Sequence, residues 1–248
     1  GLADALGKTF VVENRPGAGG TVGAAHVAKS EPDGHTLFLM ASGHSIAPAL
    51  YKSLPYDSVN DFTMITMTTR FPFGIAVGAS SPIQSLQQLL KAAREQPKVV
   101  TLGHAGVGTG MHLAPTAVAT GEIVAVIDNL ASMEPLLQAK RLRLIAVTSP
   151  QRWASVPDVP TVAEGTADRF EVMGWTALAG PKGMPPAVVD LLARETAKVM
   201  ARADTVQKLA AIGLGATSST PAEAQLVLSG EVARWQKLVK DENISVPG

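Results

Sequence analysis

The chain has 248 residues, 46% hydrophobic and only 17% charged, with Lys+Arg and Asp+Glu both at 21. That is enough apolar material for a large core in one or two domains, and the balanced charge, without basic runs, leaves a nucleic-acid backbone nothing to grip. There is no cysteine, which excludes thiolate catalysis, cysteine-ligated zinc and disulfides, and no apolar run reaches the ~18 residues of a membrane-spanning helix.

In chain order, residues 1–7 read as the last turns of an amphipathic helix, with Leu2, Ala5 and Leu6 on one face and Gly7 as its C-cap. Residues 9–12 (TFVV) predict a strand. The glycines from Gly17 to Gly23 then open a small-residue helix, an arrangement that gathers backbone N–H groups and suits an anion. Pro32-Asp33-Gly34 is a turn, 35–40 an apolar strand, and 46–54 a helix closed by Pro55. Strands are expected at 62–69 and 73–77, broken by Arg70-Phe71-Pro72, before Ser85 and Gln88 form a capping box for a helix reaching Gln96. Residues 99–102 predict a strand and 106–110 a second glycine loop, after which Pro115 stops a helix that has barely begun.

Strands at 123–127 and 143–147 flank a helix over 133–139, 157–162 is a proline-stiffened loop, and 175–179 is the last strand. Two long helices finish the chain, one over 186–202 and one announced by Thr220-Pro221-Ala222-Glu223. This alternation argues for an α/β protein with mostly parallel sheets. The break at 70–72 and the approach to Trp175 bracket a middle segment with its own alternation. They predict two lobes joined by two crossings: 1–72 with 173–248, and 73–172.

Several chemistries are disfavoured by spacing. Gly17, Gly19, Gly20 and Gly23 miss the dinucleotide register, Ala41-Ser42 stand where an acidic residue should bind a ribose, and no Lys-Ser or Lys-Thr follows either glycine loop. Gly43-His44-Ser45-Ile46-Ala47 approaches the nucleophile elbow of hydrolases, so a serine hydrolase using Ser45 is the alternative reading. Only His104 and His112 lie downstream of it, however, and both sit mid-chain. The histidines at 26, 35, 44, 104 and 112 form no i,i+4 pair and no cluster with carboxylates, so no metal site and no cofactor is expected. His44 and His104 remain open as core histidines or as pocket donors. What survives is a pair of donor-rich strand-to-helix corners, 41–45 and 106–110, able to hold a carboxylate through amides and the hydroxyls of Ser42, Ser45 and Thr109.

The stretches VVENRPGAGG (11–20), PDGHTL (32–37), LYKSLPYD (50–57), GHAGVGTGMHLA (103–114), Asp128-Asn129-Leu130, AVTSPQR (146–152) and PDVPTVAE (157–164) resemble the extracytoplasmic solute-binding receptors of tripartite tricarboxylate transporters, the Bug proteins. The resemblance implies a two-lobed periplasmic-binding-protein (Venus-flytrap, type II) fold with two mixed sheets and a hinge of two crossing segments. It implies a periplasmic, monomeric, non-enzymatic receptor that binds a small aliphatic or aromatic carboxylate and delivers it to membrane permease subunits. Carried over residue by residue, the ligand contacts are Ser42, Gly43 and His44, then His104, Gly106, Gly108, Thr109, Gly110, Asp128 and Asn129. His104 stands where relatives often have serine, and Phe71 and Phe73 lie near the first crossing. Relatives also carry a strand and glycine loop ahead of the position of Gly1, and a further segment between the positions of Ala114 and Pro115. Each is roughly 30 residues or fewer by the size of a βαβ unit. The expectation is that these were omitted from the sequence rather than from the protein, so the site set is partial.

Overall fold

A computed structural model describes residues 1–96, 99–104, 113–166 and 170–244. In chain order its elements are α1 (Leu2–Leu6), α2 (Thr21–Ala28), β1 (Phe38–Ala41), α3 (Gly43–Leu50), β2 (Phe62–Gly78), α4 (Leu86–Glu95), β3 (Leu102–His104), α5 (Leu113–Thr120) and β4 (Ala125–Asn129). There follow α6 (Leu130–Gln138), β5 (Leu142–Val147), α7 (Val162–Thr166), β6 (Met173–Pro181), α8 (Pro186–Met200), α9 (Ala203–Ala210), β7 (Gly215–Ala216) and α10 (Pro221–Asp241). The chain divides into two compact units, one made of Gly1–Thr69, Trp175–Val206 and Ala216–Gly248, the other of Arg70–Gly174 and Gln207–Gly215.

In the first unit β6 lies between β1 and β2, with β1 antiparallel to β6 from Phe38↔Ala179 to Ala41↔Thr176. One sheet face carries Met40, Met64, Trp175 and Ala177 against Ala24 and Val27 of α2 and Ala224, Leu228 and Val232 of α10. A second cluster packs Ile65 and Leu178 on Val189 and Leu192 of α8, with Leu2 and Leu6 of α1 alongside. Local chemistry accounts for the helix ends. Gly7 takes the left-handed conformation at φ 60° and donates to Ala3 O. Thr220 and Glu223 close a full capping box on α10.

In the second unit β2 pairs antiparallel with both β4 and β5, and β3 runs parallel to β4. Ile75, Val77, Ala125 and Ile145 pack against Leu86 and Leu89 of α4, while Ala76 and Val126 pack on the other face against Leu130 and Met133 of α6 and Val118 of α5. Gly74 is required for that close packing: a Cβ there would lie 2.7–2.9 Å from Leu144, Met133 and Leu130.

Four expectations are corrected. Residues 9–12 form no strand; Val11 and Val12 are 86% and 85% exposed, because β-branched residues make a strand only where a partner ladder is offered. Strands 62–69 and 73–77 are one continuous β2: its ladders to β4 and β5 begin at Phe73 and Gly74, and Pro72 lies just ahead of them, where its missing N–H costs neither of these two ladders a bond. Pro115 does not stop α5, which runs unbroken through Ala114 and Pro115 to Thr120; in a first turn the missing N–H has no intrahelical acceptor to lose. Finally, β1–β6, β2–β4 and β2–β5 are antiparallel while β3–β4 is parallel, so the sheets are mixed rather than mostly parallel.

Candidate functional site

In the first unit the corner after β1 is tighter than its sequence suggests. Ser42 already has helical dihedrals (φ −54°, ψ −26°), and its N–H stays on the sheet, donating to Trp175 O at 2.9 Å. Helix α3 therefore begins at Gly43, three residues earlier than its apolar periodicity indicates. Ser45 closes the turn, with N–H and Oγ donating to Ser42 O at 3.1 and 2.7 Å. The amides of Gly43 and His44, at the first two positions of the helix, have no intrahelical acceptor and no backbone partner among the described residues. With the half-buried Ser42 beside them, they form a donor group at the positive end of the helix dipole.

The His44 ring points the other way. It is 7% exposed, with Nε2 3.0 Å from Ser58 O, stacked on Tyr56 at 5.5 Å and set edge-on to Phe38 and Phe62 at 5.8 and 4.9 Å. Burial holds its pKa below the ordinary 6.5, opposed only in part by the Ser58 carbonyl. The ring is thus a neutral core histidine near pH 7, and only the backbone of His44 is available to a ligand. Ser45 is fully buried with its hydroxyl committed to a carbonyl, which presents no nucleophile of the kind a hydrolase elbow exposes.

In the second unit the Asp128-Asn129 pair separates into two roles. Register places Asp128 opposite Gly74 and Asn129 opposite Phe73, and successive strand residues face opposite sides of the sheet. Asp128, 4% exposed, shares the Gly74 face; its Oδ1 accepts the Asn129 N–H at 2.7 Å, and its buried Oδ2 has no partner among the described residues. Asn129 is the N-cap of α6: Oδ1 accepts the Ser132 N–H at 2.9 Å, and the Ser132 hydroxyl donates back to Asn129 O at 2.8 Å. The backbone of His104 pairs with Ile127 at the end of β3. The His104 side chain and Gly106, Gly108, Thr109 and Gly110 lie outside the described residues.

A feature with no sequence signal lies at the same end of β1. Thr176 is opposite Ala41, and its Oγ1 is 2.7 Å from both Thr68 Oγ1 and Thr69 Oγ1. More than a hundred residues separate the partners, so no local pattern marks them. Two cavities lie elsewhere, one of about 440 Å³ in the first unit beside Tyr51, Tyr56 and Gln236, one of about 380 Å³ in the second beside Ser81, Val118 and Thr120. Neither is lined by a candidate ligand contact, although residues of the 50–57 motif line the first.

The family model described as tripartite tricarboxylate transporter family receptor matches residues 1–120 and 114–244. A UPF0065 protein from the tcbD-tcbE intergenic region of Pseudomonas sp. (strain P51) is 32% identical over 98% of this chain and 80% of its own length. The protein BugT of Bordetella pertussis is 28% identical over 97% of this chain and 81% of its own. Among solved structures, Rpa4515 of R. palustris with adipate superposes with a TM-score of 0.88 at 28% identity, covering 98% of this chain and 90% of that one. MatC (Rpa3494) from Rhodopseudomonas palustris with bound malate gives 0.84 at 26% identity, covering 96% and 90%. The periplasmic binding protein BugD gives 0.85 at 27% identity, covering 98% and 90%.

Proposed function

The chain belongs to the tripartite tricarboxylate transporter receptor family, and from that membership we propose that it is a periplasmic receptor that binds a small carboxylate and hands it to membrane permease subunits. It acts as a monomer and does no chemistry on the ligand. The observation that carries this reading is the likeness, over 96% or more of the chain, to two solved proteins described with adipate and with malate. Among the described residues, no helix is long and apolar enough to cross a membrane, in keeping with a receptor that works beside its permease rather than within the bilayer.

The geometry of the first unit supports the chemistry. A carboxylate needs several donors, and the start of α3 offers the amides of Gly43 and His44 with the Ser42 hydroxyl beside them. In the second unit the proposal assigns ligand contacts to His104, the loop glycines 106, 108 and 110, Thr109, Asp128 and Asn129. Titration calorimetry with adipate, malate and an aromatic monocarboxylate such as benzoate tests the reading. At least one acid binds, and Ser42→Ala weakens it by about 1–2 kcal/mol, the worth of one charge-assisted hydrogen bond. Absence of heat and of thermal stabilisation with all three acids overturns it.

A further inference from the structure

We infer that Thr176 is a ligand-contacting residue that works as an outward donor at the β1 end of the first unit; this rests on the carboxylate-receptor reading above. Three hydroxyls meet there. Thr68 and Thr69 are buried, 5% and 6% exposed, whereas Thr176 is half-buried. Two contacts of 2.7 Å join them, both through Thr176 Oγ1.

Each hydroxyl brings one proton and two acceptor lone pairs, so three protons serve two internal bonds and one proton is left over. If Thr176 donated inward, the spare proton would sit on a buried threonine with no further acceptor among the described residues, and an unsatisfied buried donor is the costlier arrangement. The favoured pattern has Thr68 and Thr69 both donating to Thr176. Its lone pairs are then filled and its own proton points outward. A hydroxyl that accepts two bonds is polarised by them and becomes a better donor.

Position fits that role. Across the ladder from Thr176 stands Ala41, whose methyl group is exposed and small. The next register position is tied by the Ser42 N–H to Trp175 O at 2.9 Å, and the amides of Gly43 and His44 follow directly. Thr176 therefore adds a side-chain donor at the same strand end as the α3 amides. Because all of these groups donate, and no charged side chain is required among them, the set selects an anionic oxygen over an ammonium or a ligand hydroxyl offering its proton.

The test is calorimetry with adipate and malate on four proteins: unsubstituted, Thr176→Val, Thr176→Ser and Thr69→Val. The expected result is a tenfold or greater loss of affinity in Thr176→Val, recovery to within about threefold in Thr176→Ser, and no more than about threefold loss in Thr69→Val, where Thr176 keeps its outward proton. Thermal unfolding alongside identifies any variant that fails to fold; if Thr176→Val does so, Thr176→Ala, which removes the hydroxyl without adding bulk and carries the same expected tenfold loss, takes its place. Unchanged affinity in Thr176→Val overturns the assignment of Thr176 alone. Equal losses in Thr176→Val and Thr69→Val overturn it too, since a cluster that merely holds β6 to β2 would respond in that way. Failure of the unsubstituted protein to bind either acid overturns this inference together with the receptor reading for these ligands.

Discussion

Replacing His44 by glutamine is expected to remove a pH dependence of stability that belongs to the first unit. In the native chain the imidazolium is disfavoured by burial among Phe38, Tyr56 and Phe62, so the ring stays neutral below its ordinary value of 6.5. In the unfolded chain it takes up a proton as the pH falls through that value. Above about pH 7.5 neither state is protonated at His44 and stability is flat in this term. Below 6.5 the unfolded chain binds a proton the native chain refuses, so stability is lost as the pH drops. For one group the loss between pH 7.5 and 5.5 is at most about 1.4 kcal/mol, a urea midpoint lower by roughly 0.5–1.4 M at ordinary denaturant slopes. Glutamine keeps an N–H for the Ser58 carbonyl that His44 now meets at 3.0 Å but cannot titrate. The assay is urea unfolding at pH 5.5, 6.5 and 7.5 followed by tryptophan fluorescence in a Trp153→Phe background, which leaves Trp175 and Trp235, both in the first unit. An acid-side loss as large in His44→Gln as in the parent would refute the assignment of that slope to His44.

Three further outcomes are expected. Gly174→Ala places a Cβ 2.2–2.8 Å from the Phe71 ring; overpacking of this kind costs about 1–3 kcal/mol, read as a lower Tm that a second change, Phe71→Leu, partly restores. Asn129→Ala removes the cap on α6 and lowers the stability of the second unit by about 1 kcal/mol, whereas Asn129→Ser, which still caps, costs a few tenths; chemical denaturation distinguishes a capping role from one in ligand contact alone. Thr220→Ala opens the capping box of α10 and costs about 1 kcal/mol by the same measurement. The Thr220 backbone N–H holds the Glu223 carboxylate below its usual 4.5, so Glu223's contribution is present above that value and is lost as the pH falls through the lowered one.

Local signals decided the ends of several elements. Ser85 accepts the Gln88 N–H at 3.2 Å, although Gln88 reaches back to the Gln84 amide rather than to that of Ser85. Gly7 and the Thr220–Glu223 pair behave as their sequence contexts require, because a cap is made by residues three or four apart and needs no help from the rest of the chain. The motif run likewise pointed to the receptor family, and α/β alternation to the class of fold. Of the candidate site, the strand-to-helix corner at Ser42 and Gly43 was legible as a corner for the same reason: its amides are orphaned by helix geometry itself.

What the sequence could not determine depends on partners brought from far along the chain. Residues 9–12 have strand composition and no ladder; 70–72 have break composition and lie within one strand; α9 has no capping signal strong enough to announce it. The His44 ring became a core element because Tyr56, Ser58 and Phe62 close around it. The hydroxyl triad of Thr68, Thr69 and Thr176 exists only because β6 returns beside β2. Sequence alone determined the elements whose energetics are local, the turns, caps and apolar faces. Tertiary structure decided which way each polar group points, since an unpaired donor or acceptor is satisfied or stranded by whatever the fold places against it.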